Sequence, residues 1–581
     1  MPAASYDETL SFENLASNVT DAGNVSGHER LMWQLTNTLF SETNTQDASG
    51  SNDTPTRRER LSELWKTIAA PAAEAHIIKA QKERKVSYEE LALLQLSGND
   101  VWAATETLST GRDFRLSAMI AQLGAEDDGG EAIRKSMSDQ IEEWRQSNML
   151  SEMSPAIRAL YELLAGNTCN STGKTGAGPE NRAETFNLTS RFQFDWRRSF
   201  ALRLWYGIDG ADQDGLAKAI ESYAKDVAAY REETRPVPWF VEQNVDVGYN
   251  DQQRQDRQDI LFGLMKIFGH QRDPDGWFKD RVKLANIIAP QNLSGSPMDS
   301  RLSFQLYQAL TAHDIVYFSD DEDECNHKSD VLTTDYAYQL SGSADNLVDA
   351  VFVTMHLHDS VARENGIKAL LNRYAAAIGE DASTCPIFKA VQNDLKVPAA
   401  WIWKAKALHA KSALRDDVKE SRYLLAGGDK TGAHAVFTDS MAPRCIIEEE
   451  RRTISDLIDL FKENGMEDLQ QWDEGAGMYG NFLKIVHTAE KGGDAAEALQ
   501  LAKDIAPMLV GMQKNKELRV RVAGCEMADD VEKAVEVFRR RLGKVGKQVS
   551  SLSRTEAYDA NNCRRMMRQS CQRCRWQATR S

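Results

Sequence analysis

Proline is scarce in this chain, 14 among 581 residues, and sits mainly between apolar-periodic segments. So little proline leaves long stretches open to an unbroken helical hydrogen-bond ladder. Sustained apolar–polar alternation with β-branched residues is also missing, so no strand is predicted. There is no charged-then-apolar leader, and no apolar run reaches the length of a bilayer span, so membrane insertion is not expected. The eight cysteines, Cys169, Cys325, Cys385, Cys445, Cys525, Cys563, Cys571 and Cys574, mostly stand alone, which suits a reducing compartment, cytosol or nucleus. Basic residues are outnumbered, 70 Lys and Arg against 87 Asp and Glu, for a net charge of −17 at pH 7. Such a chain repels phosphate backbones at long range, which disfavours direct nucleic-acid binding.

Catalytic signatures are missing as well. Gly173-Lys174-Thr175 ends like a phosphate-binding loop, but that loop needs a glycine five positions before the Gly-Lys pair. Thr168 stands there instead, and Ile157 to Leu164 has the period of a helix where a strand is required. Cys571-Gln572-Arg573-Cys574 with Cys563 falls one ligand short of a structural zinc site, and that tail has no histidine. His356 and His358 are two apart on a predicted helix and so point to different faces, whereas helical metal pairs sit three or four apart. No G-x-S-x-G elbow, H-E-x-x-H pair or dinucleotide-type glycine fingerprint is present. No catalytic, cofactor-binding or metal-binding residue is expected, and no enzyme.

What the chain does have is helical periodicity. Hydrophobic residues make up 41% and charged residues 27%, and the length calls for several domains or one elongated array. Leu31, Leu35 and Leu39 start a stripe, and from Arg57 onward the period of 3.6 hardly stops. Helices join through short turns of one kind: Ser109-Thr110-Gly111-Arg112-Asp113, Ala426-Gly427-Gly428-Asp429 and Lys491-Gly492-Gly493-Asp494. In each, a Gly can take the left-handed conformation that ends a helix, and an Asp can cap the next. Small residues after two of the joins (Ala433 and Ala435, then Ala495, Ala496 and Ala498) let paired helices approach closely. This is α-solenoid grammar without a strict period. Gly166 to Pro179 and the acidic stretch Phe318 to Asp330, with Asp320-Asp321-Glu322-Asp323-Glu324, are predicted loops, and Pro398 opens a fresh helix.

The stretch Phe194 to Ile208, FDWRRSFALRLWYGI, carries the most information. Phe200, Leu204 and Ile208 share one helical face with Trp196 at its start, as in a deeply packed core helix. It also resembles the signature helix of the ninety-six-kilodalton nucleoporin family, called one-hundred-forty-five C in fungi. Gly111 to Leu116, Met153 to Gly166, Asp259 to Phe268, Leu302 to Leu310, Trp401 to Ala407 and Ala442-Pro443-Arg444 resemble further segments of that family in the same order.

The resemblance implies an all-α fold: an irregular α-solenoid folded back on itself, the ancestral coatomer element, with trunk, crown and tail. On that pattern residues 1–27 are a disordered N-terminal segment and 28–165 the first trunk helices and the approach to the crown. Residues 166–330 form crown and return helices, 331–397 the returning trunk, 398–545 a C-terminal tail module, and 546–581 a basic disordered tail. The implied function is structural: a scaffold of the Y-shaped nuclear pore coat complex at the nuclear envelope, supporting mRNA export and protein transport. Implied partners are a long helical nucleoporin at the crown, two hub nucleoporins at the tail, and a six-bladed β-propeller shared with the COPII vesicle coat. No strand-rich segment precedes Leu31 to complete that propeller, so the blade is expected to lie upstream or to be missing. A COPII-type vesicle-coat or tethering scaffold is the alternative function.

Leu261, Leu264, Met265 and Phe268 are the candidate crown-type partner surface. The competing reading makes all four internal core.

Overall fold

The computed structural model describes residues 3–4, 11–19, 24–41, 56–123, 130–175, 178–207, 215–232, 234–379 and 385–542. The fold is all-α, and the chain divides into two compact units. One holds Ala4–Gln339 with His356–His358; the other holds chiefly Leu340–Met355 and the described part of Asp359–Ser581.

The first unit opens with the helices Phe12–Asn18 and Asn24–Phe40, and from Arg57 on Arg57–Glu83, Tyr88–Leu96, Val101–Thr110 and Phe114–Ile120 follow one another with short connections. Local chemistry sets their starts. Thr56 and Glu59 form a capping box on the long Arg57 helix, and Ser87, Asp100 and Asp113 cap the next three, each satisfying an amide the helix leaves orphaned. The disorder predicted for residues 1–27 does not hold for the first of these helices. Ser11 caps it, and Phe12 is buried with its ring 4.6 Å from that of His313, so tertiary packing overrides a polar composition. The rest of 1–23 lies outside the described residues apart from Ala3, Ala4 and Val19, as does 546–581 with Cys563, Cys571 and Cys574.

Two further expectations need correction. A short antiparallel ladder pairs Asn170–Ser171 with Phe186–Asn187, too brief to leave an alternating pattern. The acidic run does not stay in a loop: Asp321 accepts from the Glu324 amide at 2.9 Å, and Glu322–Leu340 is one helix. Carboxylates there oppose the positive end of the helix dipole. That helix runs straight through the boundary predicted at residue 330, and the units divide at its C-terminal end.

The second unit includes the helices Ala399–His409, Arg451–Glu463, Ala476–Lys491, Ala495–Gln513 and Leu518–Leu542. The last four of these close on one core that contains Leu457, Phe461, Tyr479, Ile485, Ile505, Met527 and Phe538, joined by Phe437. Pro398 immediately precedes the Ala399 helix, as predicted. Asp429 and Asp494 cap the helices after their glycine turns, and Gly428 and Gly492 take positive φ.

Candidate partner-binding surfaces

The signature stretch folds into the helix Trp196–Leu202, which widens into a π turn at Arg203–Gly207. Asp195 caps it, accepting from the Arg198 amide at 2.8 Å. Trp65 meets Trp196 and Phe200 edge-on, with centroids 6.1 and 4.9 Å apart. Three hydrogen bonds then tie the stretch to neighbouring helices. Trp65 Nε1 donates to the Arg197 carbonyl at 2.8 Å, Trp205 Nε1 to Ser62 Oγ at 2.9 Å, and Tyr206 Oη to the Leu96 carbonyl at 3.0 Å.

The π turn brings a charge inside. Arg203 is buried and donates to Ser199 Oγ at 2.9 Å, Asp226 Oδ2 at 3.2 Å and Glu232 Oε2 at 3.0 Å. Ser199 and Thr189 donate to the same Glu232 carboxylate. Burial opposes the charge on Arg203, but Glu232 and Asp226 hold the guanidinium above its ordinary value. Burial also pushes the nearby Cys169 thiol up to about 12, far from nucleophilic range. An internally paired ion network of this kind, beside an inert thiol, fixes helix positions.

The stripe predicted to meet a partner faces inward instead. Asp259 caps the helix Ile260–Arg272, and Leu261, Leu264, Met265 and Phe268 are 1%, 0%, 0% and 3% exposed. A Cβ on Gly263 would stand 2.5 Å from Ile287 Cγ2, so the helix is tightly packed at that point too. The competing reading, internal core, is the one this burial supports. Gly173-Lys174-Thr175 is likewise structural: Lys174 pairs with Ala183 across a β-bridge, and its amine donates to Asn148 Oδ1 at 2.6 Å. His358 lies beyond the helix that ends at Thr354 and bonds Asp330 at 2.9 Å, while His356 meets the Phe304 ring edge-on.

The apolar surface that is available lies elsewhere. Tyr88, Trp102 and Phe114 are 50%, 74% and 67% exposed on three consecutive helices. Trp102 shares the outer stripe of its helix with Glu106 and Thr110, opposite buried Ala104 and Leu108. Tyr88 lies against the turn that leads to Phe114, because a Cβ on Gly111 would come within 2.8 Å of the Tyr88 Cβ. These exposed aromatic side chains are the candidate contact residues of this region. A detectable signal existed in the sequence: Trp102 falls out of phase with the Ala104–Leu108 stripe.

A family model for nuclear protein 96 (Nup96) matches residues 90–409, more than half of the chain. The chain belongs to the Nup96 family. The matched region starts within the Tyr88 helix and ends with the Ala399 helix, so it includes Trp102, Phe114 and the whole signature stretch. Among curated relatives, nucleoporin NUP145 of Chaetomium thermophilum is 29% identical over 478 residues, covering 80% of this chain and 22% of the relative. Nucleoporin nup189 of Schizosaccharomyces pombe is 27% identical over 496 residues, covering 82% of this chain and 25% of the relative. The nuclear pore complex protein NUP96 of Arabidopsis thaliana is 22% identical over 547 residues, 87% of this chain and 47% of the relative. The chain thus spans about a quarter of the two fungal proteins and about half of the plant one.

Proposed function

We propose that this chain is a structural nucleoporin of the nuclear pore complex at the nuclear envelope, working by assembly and not by catalysis. The Nup96 match over residues 90–409 carries the reading, and similarity to proteins named as nucleoporins supports it. Fold chemistry agrees: the buried Arg203 is paired internally, with Asp226 and Glu232. Helical arrays expose much surface per residue, which suits a scaffold. On this reading the chain belongs to the Y-shaped coat, and the Tyr88–Trp102–Phe114 face is where a long helical neighbour docks. Hub nucleoporins and the β-propeller would bind other faces. Its contribution to mRNA export and protein transport would be indirect, through pore assembly.

The test is affinity capture from nuclear extract with the full chain as bait and mass spectrometry of stoichiometric partners. Y-coat nucleoporins are expected. The double variant Trp102→Ser, Phe114→Ser should lose one partner while its circular dichroism and melting temperature stay unchanged. Recovery of vesicle-coat subunits alone, from whole-cell extract, would sink the pore reading in favour of the vesicle-coat one.

A further inference from the structure

Arg84 to Ser87 join the Arg57 helix to the Tyr88 helix. Both ends of the join are extended, with φ −155° and ψ 166° at Arg84 and φ −72° and ψ 158° at Ser87. Val86 packs against the core, whereas Arg84, Lys85 and Ser87 are exposed. An exposed hydroxyl thus follows two exposed cations along a backbone that is already drawn out.

Protein kinases take such segments and select them by the charges that flank the hydroxyl. Ser87 has charges on both sides, Arg84 and Lys85 before it and Glu89 and Glu90 after it. The basic pair is the one offered to solvent: the Arg84 side chain is 53% exposed and that of Glu90 17%. Arg84 does pair with Glu90, Nη1 donating to Oε2 at 2.7 Å and Nη2 to Oε1. An ion pair with one end this exposed is weak, so a kinase carboxylate can take the guanidinium over. Ser87 itself is lightly held, its Oγ accepting from the Glu90 amide at 3.2 Å.

Tyr88 comes next in the chain and is 50% exposed, one of the three aromatic residues of the candidate docking face. A phosphate on Ser87 sets a charge near −2 beside that ring. An apolar partner closing over Tyr88 then has to strip water from the phosphate, at a cost no aromatic contact offsets.

We propose that Ser87 is a phosphorylation site for a serine kinase that reads basic residues, and that its phosphate releases the helical neighbour from the Tyr88–Trp102–Phe114 face. The release half rests on the docking reading given above; the site does not. In the transfer step Ser87 Oγ attacks the γ-phosphorus of a nucleoside triphosphate, the bond to the diphosphate breaks, and the hydroxyl proton passes to the kinase's catalytic carboxylate.

The full chain is incubated with ATP and the catalytic subunit of cyclic-AMP-dependent protein kinase, which reads basic residues before a serine. A parallel reaction uses casein kinase II, which reads acidic residues after it. Mass spectrometry should find phosphate on Ser87 with the first kinase. Losing one charge-assisted contact is worth about tenfold, so Arg84→Gln and Lys85→Gln should each slow incorporation at Ser87 by that factor. Lys85→Gln leaves the Arg84–Glu90 pair in place and so reads recognition alone. In affinity capture from nuclear extract, the phosphorylated chain should recover about tenfold less of the neighbour. Ser87→Ala, treated with the same kinase, should recover it in full.

No phosphate at Ser87, phosphate there only with casein kinase II, or an unchanged rate in both variants overturns the site. Release is judged beside the Trp102→Ser, Phe114→Ser variant. If that variant loses the neighbour and the phosphorylated chain keeps it, release is overturned and the docking face stands. If both keep it, the docking reading fails and release fails with it.

Discussion

The first unit buries Arg158, Glu162, Arg198, Arg203, Asp226, Glu232 and Asp259, whereas the second fills its centre with Phe437, Leu457, Phe461 and Tyr479 and buries fewer ionisable groups, Lys406, Glu420 and His434. Helix length varies within both units: Arg57–Glu83 has 27 residues and Trp196–Leu202 has 7 in the first, and Leu518–Leu542 has 25 and Lys430–Val436 has 7 in the second. Two turns of helix cannot present a long apolar stripe, so directional bonds fix where Trp196–Leu202 sits. Long amphipathic helices such as Ala495–Gln513 and Leu518–Leu542 settle by shape. One unit is pinned by charge and the other by packing.

Removing a pin should produce the largest effect. Arg203→Met strands the Glu232 carboxylate, whose side chain is wholly buried, and breaking a buried pair costs about 3–5 kcal/mol. Hydrogen exchange should show lost protection across 189–232 and none across 451–538. Equal loss in both would break the comparison.

A second test uses pH. His28, Asp259, Arg197 and Glu242 form a chain of charges, with Arg197 2.8 Å from Glu242 and 4.0 Å from Asp259. Burial raises Glu242 from its ordinary 4.5 to about 7, only partly offset by Arg197. A raised carboxylate pKa means the folded state holds the proton more tightly. This stability is present below pH 4.5 and is lost as pH rises through 7. His28 is shifted down from 6.5, chiefly by burial, so its contribution runs the other way and is lost as pH falls below that value. Glu242→Gln should therefore abolish the loss on raising pH toward 7 and leave the acid-side loss in place, read from denaturation midpoints between pH 4 and 8.

How far the sequence disclosed this arrangement depended on whether a residue's surroundings were local. Caps were legible, because Asp113, Asp429 and Asp494 act on amides two or three residues away. Left-handed glycines were legible at Gly428 and Gly492 but not at the first join. There Arg112 takes φ 68°, and Gly111, in ordinary helical geometry, leaves room for Tyr88. The face of the Ile260 helix could not be read at all. Ile260, Leu261, Phe262, Leu264, Met265, Ile267 and Phe268 surround it, and without a polar stripe periodicity has no phase. Arg203 and Glu232 stand 29 residues apart, and only the fold joins them.

Packing in the second unit invites a milder test. A Cβ on Gly524 would stand 2.8 Å from Met512 Cβ and 3.2 Å from the Gln513 amide, so Gly524→Ala forces the two last helices apart and costs about 1–3 kcal/mol. Gly480 is the control. Its nearest neighbour would be Ile458 at 3.7 Å, so Gly480→Ala should stabilise by about 0.5–1 kcal/mol. If urea midpoints move the same way for both, shape does not govern this core.

The smallest effects come from one substitution made at matching places. Asp195 and Asp494 both cap helices through bonds of 2.8 Å, to the Arg198 and Ala496 amides. Asparagine caps as well as aspartate, so Asp494→Asn should change stability by less than about 0.5 kcal/mol. Asp195 has a second duty, its carboxylate lying 3.6 Å from Nε of the buried Arg198. Asp195→Asn keeps the cap and removes the charge beside that guanidinium, leaving the Gln193 carbonyl and His76 as its partners. Bonds to charged groups are worth about 1.5–3 kcal/mol, and this contact is long, so a cost of about 1 kcal/mol is expected in denaturant melts. Because asparagine keeps the cap oxygen at both places, a larger cost at Asp195 measures what buried charge adds to the first unit. Equal costs would mean that its helices, too, are held by packing.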